Sequence, residues 1–250
     1  MDVQTGIRNS KAIFKRELAG YFGSAIAYVF IVIFLLLCGF FTFSISNFYE
    51  ARQADLAPFF QWHPWIYLFL VPAVAMRLWA DEKKTGTLEL MLTLPITMTQ
   101  AIVGKFLAAW VFITIAILLT FPMVITVLYL GDPDLGAVLS GYVGSILVGG
   151  AYLSVGSMTS ASTRNQVISF VISVVICLFL VLAGWPPVTN YFAGWAPIWL
   201  VEIISGFSVM PHFASMQRGV MDLRDFVYYF SLIFFALFAT GVILQSRRGT

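Results

Sequence analysis

The apolar residues of this chain come in long runs of about 20, the length an α-helix needs to cross hydrocarbon. The first run extends from Ala25 to Ser46 and is rich in Phe. Inside a bilayer every backbone N–H and C=O must be paired within the protein, so runs of this length fold as helices. Membrane barrel strands would show short segments of alternating polarity, and the sequence has none. Composition points the same way. With 60% hydrophobic and 10% charged residues, and a mean hydropathy of +0.91, polar side chains are too few to cover a soluble globule. The expected fold class is an all-α integral membrane protein: one bundle of six transmembrane helices, with an N-terminal interfacial helix.

Taken in order, residues 7–22 form the interfacial helix, with Ile7, Phe14, Leu18, Tyr21 and Phe22 on one face and Arg8, Asn9, Lys15 and Arg16 largely off it. A short helix packed on the end of the bundle or on a partner is the competing reading. The spans are expected at 25–46, 62–80, 101–130, 137–159, 167–184 and 226–244. No cleavable signal peptide is expected, because the first apolar run starts late and is too long for one. Trp62, Trp65 and Trp79 sit at the ends of the second span, where an aromatic belt belongs, and Pro72 and Pro122 are candidate bends. Gly131-Asp-Pro-Asp134 carries turn chemistry. In the fourth span Gly141, Ser145 and Gly149 recur every four residues, a small-residue ridge expected to serve helix packing within the bundle or across a dimer seam. Residues 188–225 mix aromatic residues with Gly and Pro, and are expected to form short amphipathic or re-entrant helices on the extracytoplasmic side. Cys38 and Cys177 both fall within spans and are expected to be reduced.

Charge gives the orientation. With both termini in the cytoplasm, eleven of the fourteen Lys and Arg residues lie on the inner side, and only Arg52, Arg218 and Arg224 remain outside. The positive-inside rule favours that topology. Several chemistries are missing. No phosphate-binding G-x-x-x-x-G-K-[ST] motif, H-E-x-x-H or C-x-x-C occurs. The two histidines, His63 and His212, are expected at the outer interface with their hydrogen bonds satisfied. Ionisable groups deep in the spans are also lacking, which disfavours an ion-coupled carrier. The chain is therefore expected to be neither an enzyme nor a cofactor-binding protein, with no catalytic or metal site and no nucleic-acid partner.

Against this oily background, Arg77 to Lys105 concentrates seven of the 26 charged residues. Thr85 or Thr87 can cap a short helix there, on which Leu88, Met91, Leu92 and Leu94 offer apolar contact and Glu82 and Glu89 offer charge to a basic partner. A solvated charged loop is the plain alternative. The pattern Glu82-x-x-x-Gly86-Thr87-x-Glu89-x-x-Leu92-x-x-Pro95, followed by Gly104-Lys105, resembles the cytoplasmic signature of type-2 ABC exporter permeases, with Met91 in place of the first leucine of a pair. Phe14-Lys-Arg-Glu-Leu-x-x-Tyr-Phe and the stretches Ser208 to Phe213 and Arg218 to Tyr229 resemble the branch containing gliding-motility-associated permeases.

That resemblance implies a permease subunit of an ATP-driven exporter in a bacterial inner membrane. Residues 82–95 would be the coupling helix, docking on a separate ATP-binding subunit that holds the ATP and Mg. It also implies a second permease copy or a similar chain, surrounding membrane lipid, and an extracytoplasmic auxiliary protein as a further candidate partner. The alternative is a membrane anchor that passes ATPase strokes to an extracytoplasmic machine without moving a substrate.

Overall fold

The computed structural model describes residues 3–50, 54–88, 96–194 and 196–246, and side chains from residue 6 onward. Among these residues helices joined by short turns and loops are the only regular structure, with no strand. Helix α1 spans Val3–Phe22 and α2 spans Ala25–Phe40, the latter started by the Ser24 hydroxyl accepting from the Ile26 amide. A π-helical turn, Phe41–Ile45, extends α2, and the Thr42 hydroxyl donates to the Cys38 carbonyl at 2.6 Å. Two short helices follow, α3 (Ala57–Phe60) and α4 (His63–Ala75). The Ser46 hydroxyl ties this corner together by accepting from Gln61 Nε2 at 2.8 Å and Trp62 Nε1 at 2.7 Å.

Helix α5 (Arg77–Thr85) continues from α4 after a break at Met76. The expected second span, 62–80, thus consists of two helices of 13 and nine residues, each shorter than a crossing. Helix α4 runs on through Pro72, and the interruption comes one turn later, where the Met76 amide donates to the Pro72 carbonyl.

Helix α6 (Met98–Leu118) opens with a full capping box: Thr97 accepts from the Gln100 amide while the Gln100 side chain accepts from the Thr97 amide. A break at Leu119–Phe121 precedes α7 (Pro122–Leu130), with Pro122 at the first helical position, where its missing N–H costs nothing. Asp134 caps α8 (Leu135–Ser162), and Asn165 caps α9 (Gln166–Leu182). The expected extracytoplasmic segment contains α10 (Pro186–Ala193), α11 (Ile198–Gly206) and α12 (Val209–Gln217). Helix α13 (Leu223–Ser246) closes the described chain.

Four stretches are long and apolar enough to cross a membrane: Ala25–Ile45, Met98–Leu130, Leu135–Ser162 and Leu223–Ser246. Two bent pairs reach the same length and hydropathy, α9 with α10 at 65° and α11 with α12 at 69°, each a broken span or a re-entrant loop. The protein is therefore a multi-pass membrane protein with four to six candidate spans among the described residues.

Helix α8 is the axis. Of its 28 residues 19 are buried, far more than in any other long helix, and α3, α4, α5, α6, α9, α12 and α13 all pack on it. Small residues make that possible. A Cβ on Gly156 would sit 2.3 Å from the Ala75 Cβ, and one on Gly141 would sit 2.5 Å from the Phe60 ring. Ser145 bonds His63, and Gly149 meets Ile113. The small-residue ridge thus faces α3, α4 and α6 of the same chain.

His63 departs from expectation. It is fully buried rather than interfacial, its Nδ1 is 2.7 Å from the Ser145 hydroxyl, and Phe34, Phe59, Phe60 and Tyr67 surround its ring. The close approach of α4 to α8 at the small residues carries it inward. Its Nε2 has no hydrogen-bond partner. His212 keeps a partner, Asp225, at 2.7 Å. Cys38 and Cys177 are buried free thiols.

Candidate functional site

The Arg77 to Lys105 segment begins as α5, whose base is clamped in the bundle. After the break at Met76 the first amides of α5 have no intrahelical acceptor. Ser160 of α8 supplies one: its hydroxyl accepts from the Trp79 and Ala80 amides, both at 3.0 Å, and donates to the Met76 carbonyl at 2.9 Å. The Trp79 indole N–H donates to Ser157 at 3.0 Å, with the ring fully buried. On the polar side Lys83 donates to the Ala161 carbonyl and Gln166 Nε2 donates to Asp81. One end of α8 and the start of α9 thus hold α5 along its length.

Lys105, the last residue of the sequence pattern, is 4% exposed. A buried ammonium needs a counter-charge, and it has two: Glu82 at 2.7 Å and Glu17 at 3.2 Å. It also lies 5.5 Å from the centre of the Trp79 ring. The triad joins α1, α5 and α6. Burial alone would raise the Glu17 carboxyl, but the charge of Lys105 and hydrogen bonds from Arg16 and Lys105 outweigh it and hold the group below the ordinary glutamate value. Glu82, which the sequence offers to a partner, turns into the protein, where the buried Lys105 ammonium holds it. Its second oxygen, Oε2, is buried without a partner.

The triad depends on α1 lying close to α6. A Cβ on Gly104 would stand 2.9 Å from Ile13 Cγ2 and 3.0 Å from the Ser10 carbonyl, so the absence of one lets the two helices meet. Tyr21 stacks on Phe112 at 5.0 Å, and Phe22 meets the same ring edge-on at 5.9 Å. Phe14, Leu18, Tyr21 and Phe22 are half-buried, whereas Ile7 is 64% exposed. The buried edge of α1 runs through Ile13 and Glu17, which sequence reasoning did not single out. Their spacing with Tyr21, every four residues, was the available signal.

Gly86 ends α5 in the left-handed conformation (φ 73°), which favours glycine. Thr85 donates to the Asp81 carbonyl at 2.8 Å, and its hydroxyl is 2.9 Å from that of Thr87. The two threonines therefore finish α5 before the chain turns, and Leu88 packs against the core. Glu89, Met91, Leu92, Leu94 and Pro95 lie outside the described residues.

The fold and this charged end define a class: an all-helical membrane protein with no nucleotide-binding motif, whose polar segment is wired into three helices of the bundle. The match to the family model described as ABC-2 family transporter protein covers residues 11–240, and the chain belongs to that family. No curated protein matches the chain. The chain is accordingly a permease subunit of an ABC transporter. Such a subunit is not itself catalytic, and the family implies an ATP-binding subunit as partner.

Proposed function

We propose that this chain is the permease of an exporter, in the branch that includes gliding-motility-associated permeases, and that residues 82–95, expected as one helix but divided by the left-handed Gly86, are its coupling segment. Both termini and this segment face the cytoplasm of a bacterial cell, and ATP and Mg stay on the partner subunit. A second copy or a similar chain completes the pathway. Glu82, Gly86, Thr87, Glu89, Leu92 and Pro95 carry the coupling, but their roles divide. Glu82 is the internal link, Gly86 and Thr87 make the turn, and Glu89, Leu92 and Pro95 belong to the docking face.

The observation that carries this reading is the Glu82–Lys105–Glu17 triad. A push on α5 reaches α6 and α1 through it, and reaches α8 through Ser160 and Ser157. The bundle then switches access as connected helices rather than as a flexing loop. Charge exchange tests this in proteoliposomes with the partner ATPase. Glu82→Lys should uncouple hydrolysis from transport, and the fully inverted triad, Glu82→Lys with Lys105→Glu and Glu17→Lys, should recover coupling. Wild-type coupling in the single variant would refute the link.

One observation favours the second reading, an anchor driving an extracytoplasmic machine. Helices α10 and α11 bury no residue, and Tyr191, Ile198 and Trp199 are 74%, 74% and 59% exposed. Stoichiometric co-purification of an outer-side protein, with no ATP-dependent cargo movement, would select it.

A further inference from the structure

Helices α12 and α13 meet in a joint built around one imidazole ring. His212 Nδ1 on α12 lies 2.7 Å from Asp225 Oδ1 in the first turn of α13, with the two side chains 21% and 7% exposed. The His212 ring stacks on Tyr228 with centroids 4.1 Å apart, and Tyr229 meets it edge-on at 6.4 Å. The same two tyrosines hold the chain that enters α12. Tyr228 donates to the Phe207 carbonyl at 2.6 Å, and Tyr229 donates to the Val209 carbonyl at 3.3 Å.

Asp225 is the member that cannot stand alone. Its Oδ2 is buried without a partner, and His212 supplies the side-chain hydrogen bond to Oδ1. Among the described residues no other cation lies within ion-pair distance of it, since Arg218 and Arg224 are exposed and bridge to no carboxylate. The start of α13 adds only a fraction of a positive charge. With an imidazolium the pair is neutral overall, and the Tyr228 face lies against the cation. With a neutral imidazole one N–H still reaches Oδ1, but a full negative charge stays buried on a carboxylate with one bare oxygen. Loss of a single proton therefore converts a compensated contact into a stranded charge, which is relieved only when Asp225 reaches water.

The groups around the joint do not share this titration. The helices packed on α12 bring the phenols of Tyr142 and Tyr152 from α8, the buried thiol of Cys177 from α9, and Tyr228 and Tyr229 from α13. Phenols and a buried thiol keep their protons up to about pH 8, and Arg218 and Arg224 stay charged throughout. Asp222 is exposed and accepts from the Arg224 amide at 3.0 Å, and Glu202 is exposed on α11. Imidazole alone changes charge between about pH 5 and about pH 8.

We infer that the α12–α13 joint is a proton-operated latch, closed while His212 carries its proton and loosened when it gives it up. Helix α12 is one arm of the bent pair α11–α12, so the latch decides how firmly that arm is held to α13. The latch does not depend on the coupling role of residues 82–95. Only the side whose pH it reads, the outer one, follows from the orientation proposed above, and a measurement in detergent is independent of that orientation.

The test is hydrogen exchange, read by mass spectrometry on the full chain in detergent at about pH 5 and about pH 8, with labelling times scaled for the intrinsic pH dependence of amide exchange. Scaled exchange in 209–217 and 223–229 should be about 10-fold faster at the higher pH, the equivalent of one charge-assisted hydrogen bond, while 137–160 in α8 stays unchanged. Asp225→Asn, which still accepts the imidazole N–H and has no charge to strand, should stay slow at both pH values. His212→Gln, which offers an N–H but no charge, should be fast at both. Wild-type exchange that differs by less than about twofold between the two pH values overturns the latch. So does a wild-type pH response that survives in Asp225→Asn, because another group would then be titrating, or an equal acceleration in 137–160, because the whole bundle would then be responding.

Discussion

Replacing Lys105 by methionine keeps most of the side-chain volume and removes the charge between two carboxylates. At 2.7 Å and 3.2 Å, with an effective dielectric of about 20, the gross attractions are about 6 and 5 kcal/mol. Most of this is cancelled by the desolvation of all three groups, and breaking a buried pair from one side costs about 3–5 kcal/mol net. The lower end applies here, because the Glu17 and Glu82 side chains remain 22% and 18% exposed and Glu17 keeps Arg16 at 2.8 Å. A loss of about 3 kcal/mol corresponds to a fall of about 6–12 °C in unfolding midpoint for a chain of this size. Scanning fluorimetry of the purified protein in one detergent reads it. The added changes Glu17→Gln and Glu82→Gln, which leave no charge to strand, should recover more than half of the loss. A midpoint within about 2 °C of wild type for Lys105→Met, or no recovery in the triple variant, would show that the triad does not hold α1 and α5 together.

Ser160→Ala should cost about 2 kcal/mol, since it strands the Trp79 and Ala80 amides, and hydrogen exchange should speed up in 77–85 before any other stretch. Gly156→Ala should cost about 1–3 kcal/mol by forcing α4 off α8, and adding Ala75→Gly should restore the midpoint. The Glu17 carboxyl is held below its ordinary value, so its contribution is present above the unfolded value of about 4.3 and is lost as pH falls through the folded value. The midpoint difference between wild type and Glu17→Gln should therefore be constant near pH 6 and shrink below about pH 4; a difference independent of pH would contradict the ion pairing.

Much of the architecture was legible because hydrocarbon leaves so few choices. Runs of apolar residues mark α2, α6 with α7, α8 and α13, and the turn chemistry of Gly131 to Asp134 marks the corner between α7 and α8. The break at Met76 could not be read, because the residue is apolar and helix-compatible; what stabilises the break is Ser160, 84 residues away. The site was legible in its location and not in its wiring. Glu82 and Lys105 both stood in the pattern, yet the third member of the triad is Glu17, which reaches Lys105 only because α1 lies against α6 where Gly104 leaves room. His63 went astray for a related reason. A polar residue near a span end suggests an interface, and only the packing of α4 on α8 carries it into the core.

The axial position of α8 also has a consequence in time. The chain is made from its N-terminus, and Ser160 follows Trp79 by 81 residues. At about 5–20 residues per second, the acceptor for the first amides of α5 is synthesised roughly 4–16 s after the amides themselves. During that interval α6 is added to α2 and α4 while their inward faces stay unmatched: His63 waits for Ser145, and Trp79 for Ser157. The nascent protein therefore passes through a stage in which its first half is inserted but unlocked, and Leu135–Ser162 arrives as the bolt that closes it.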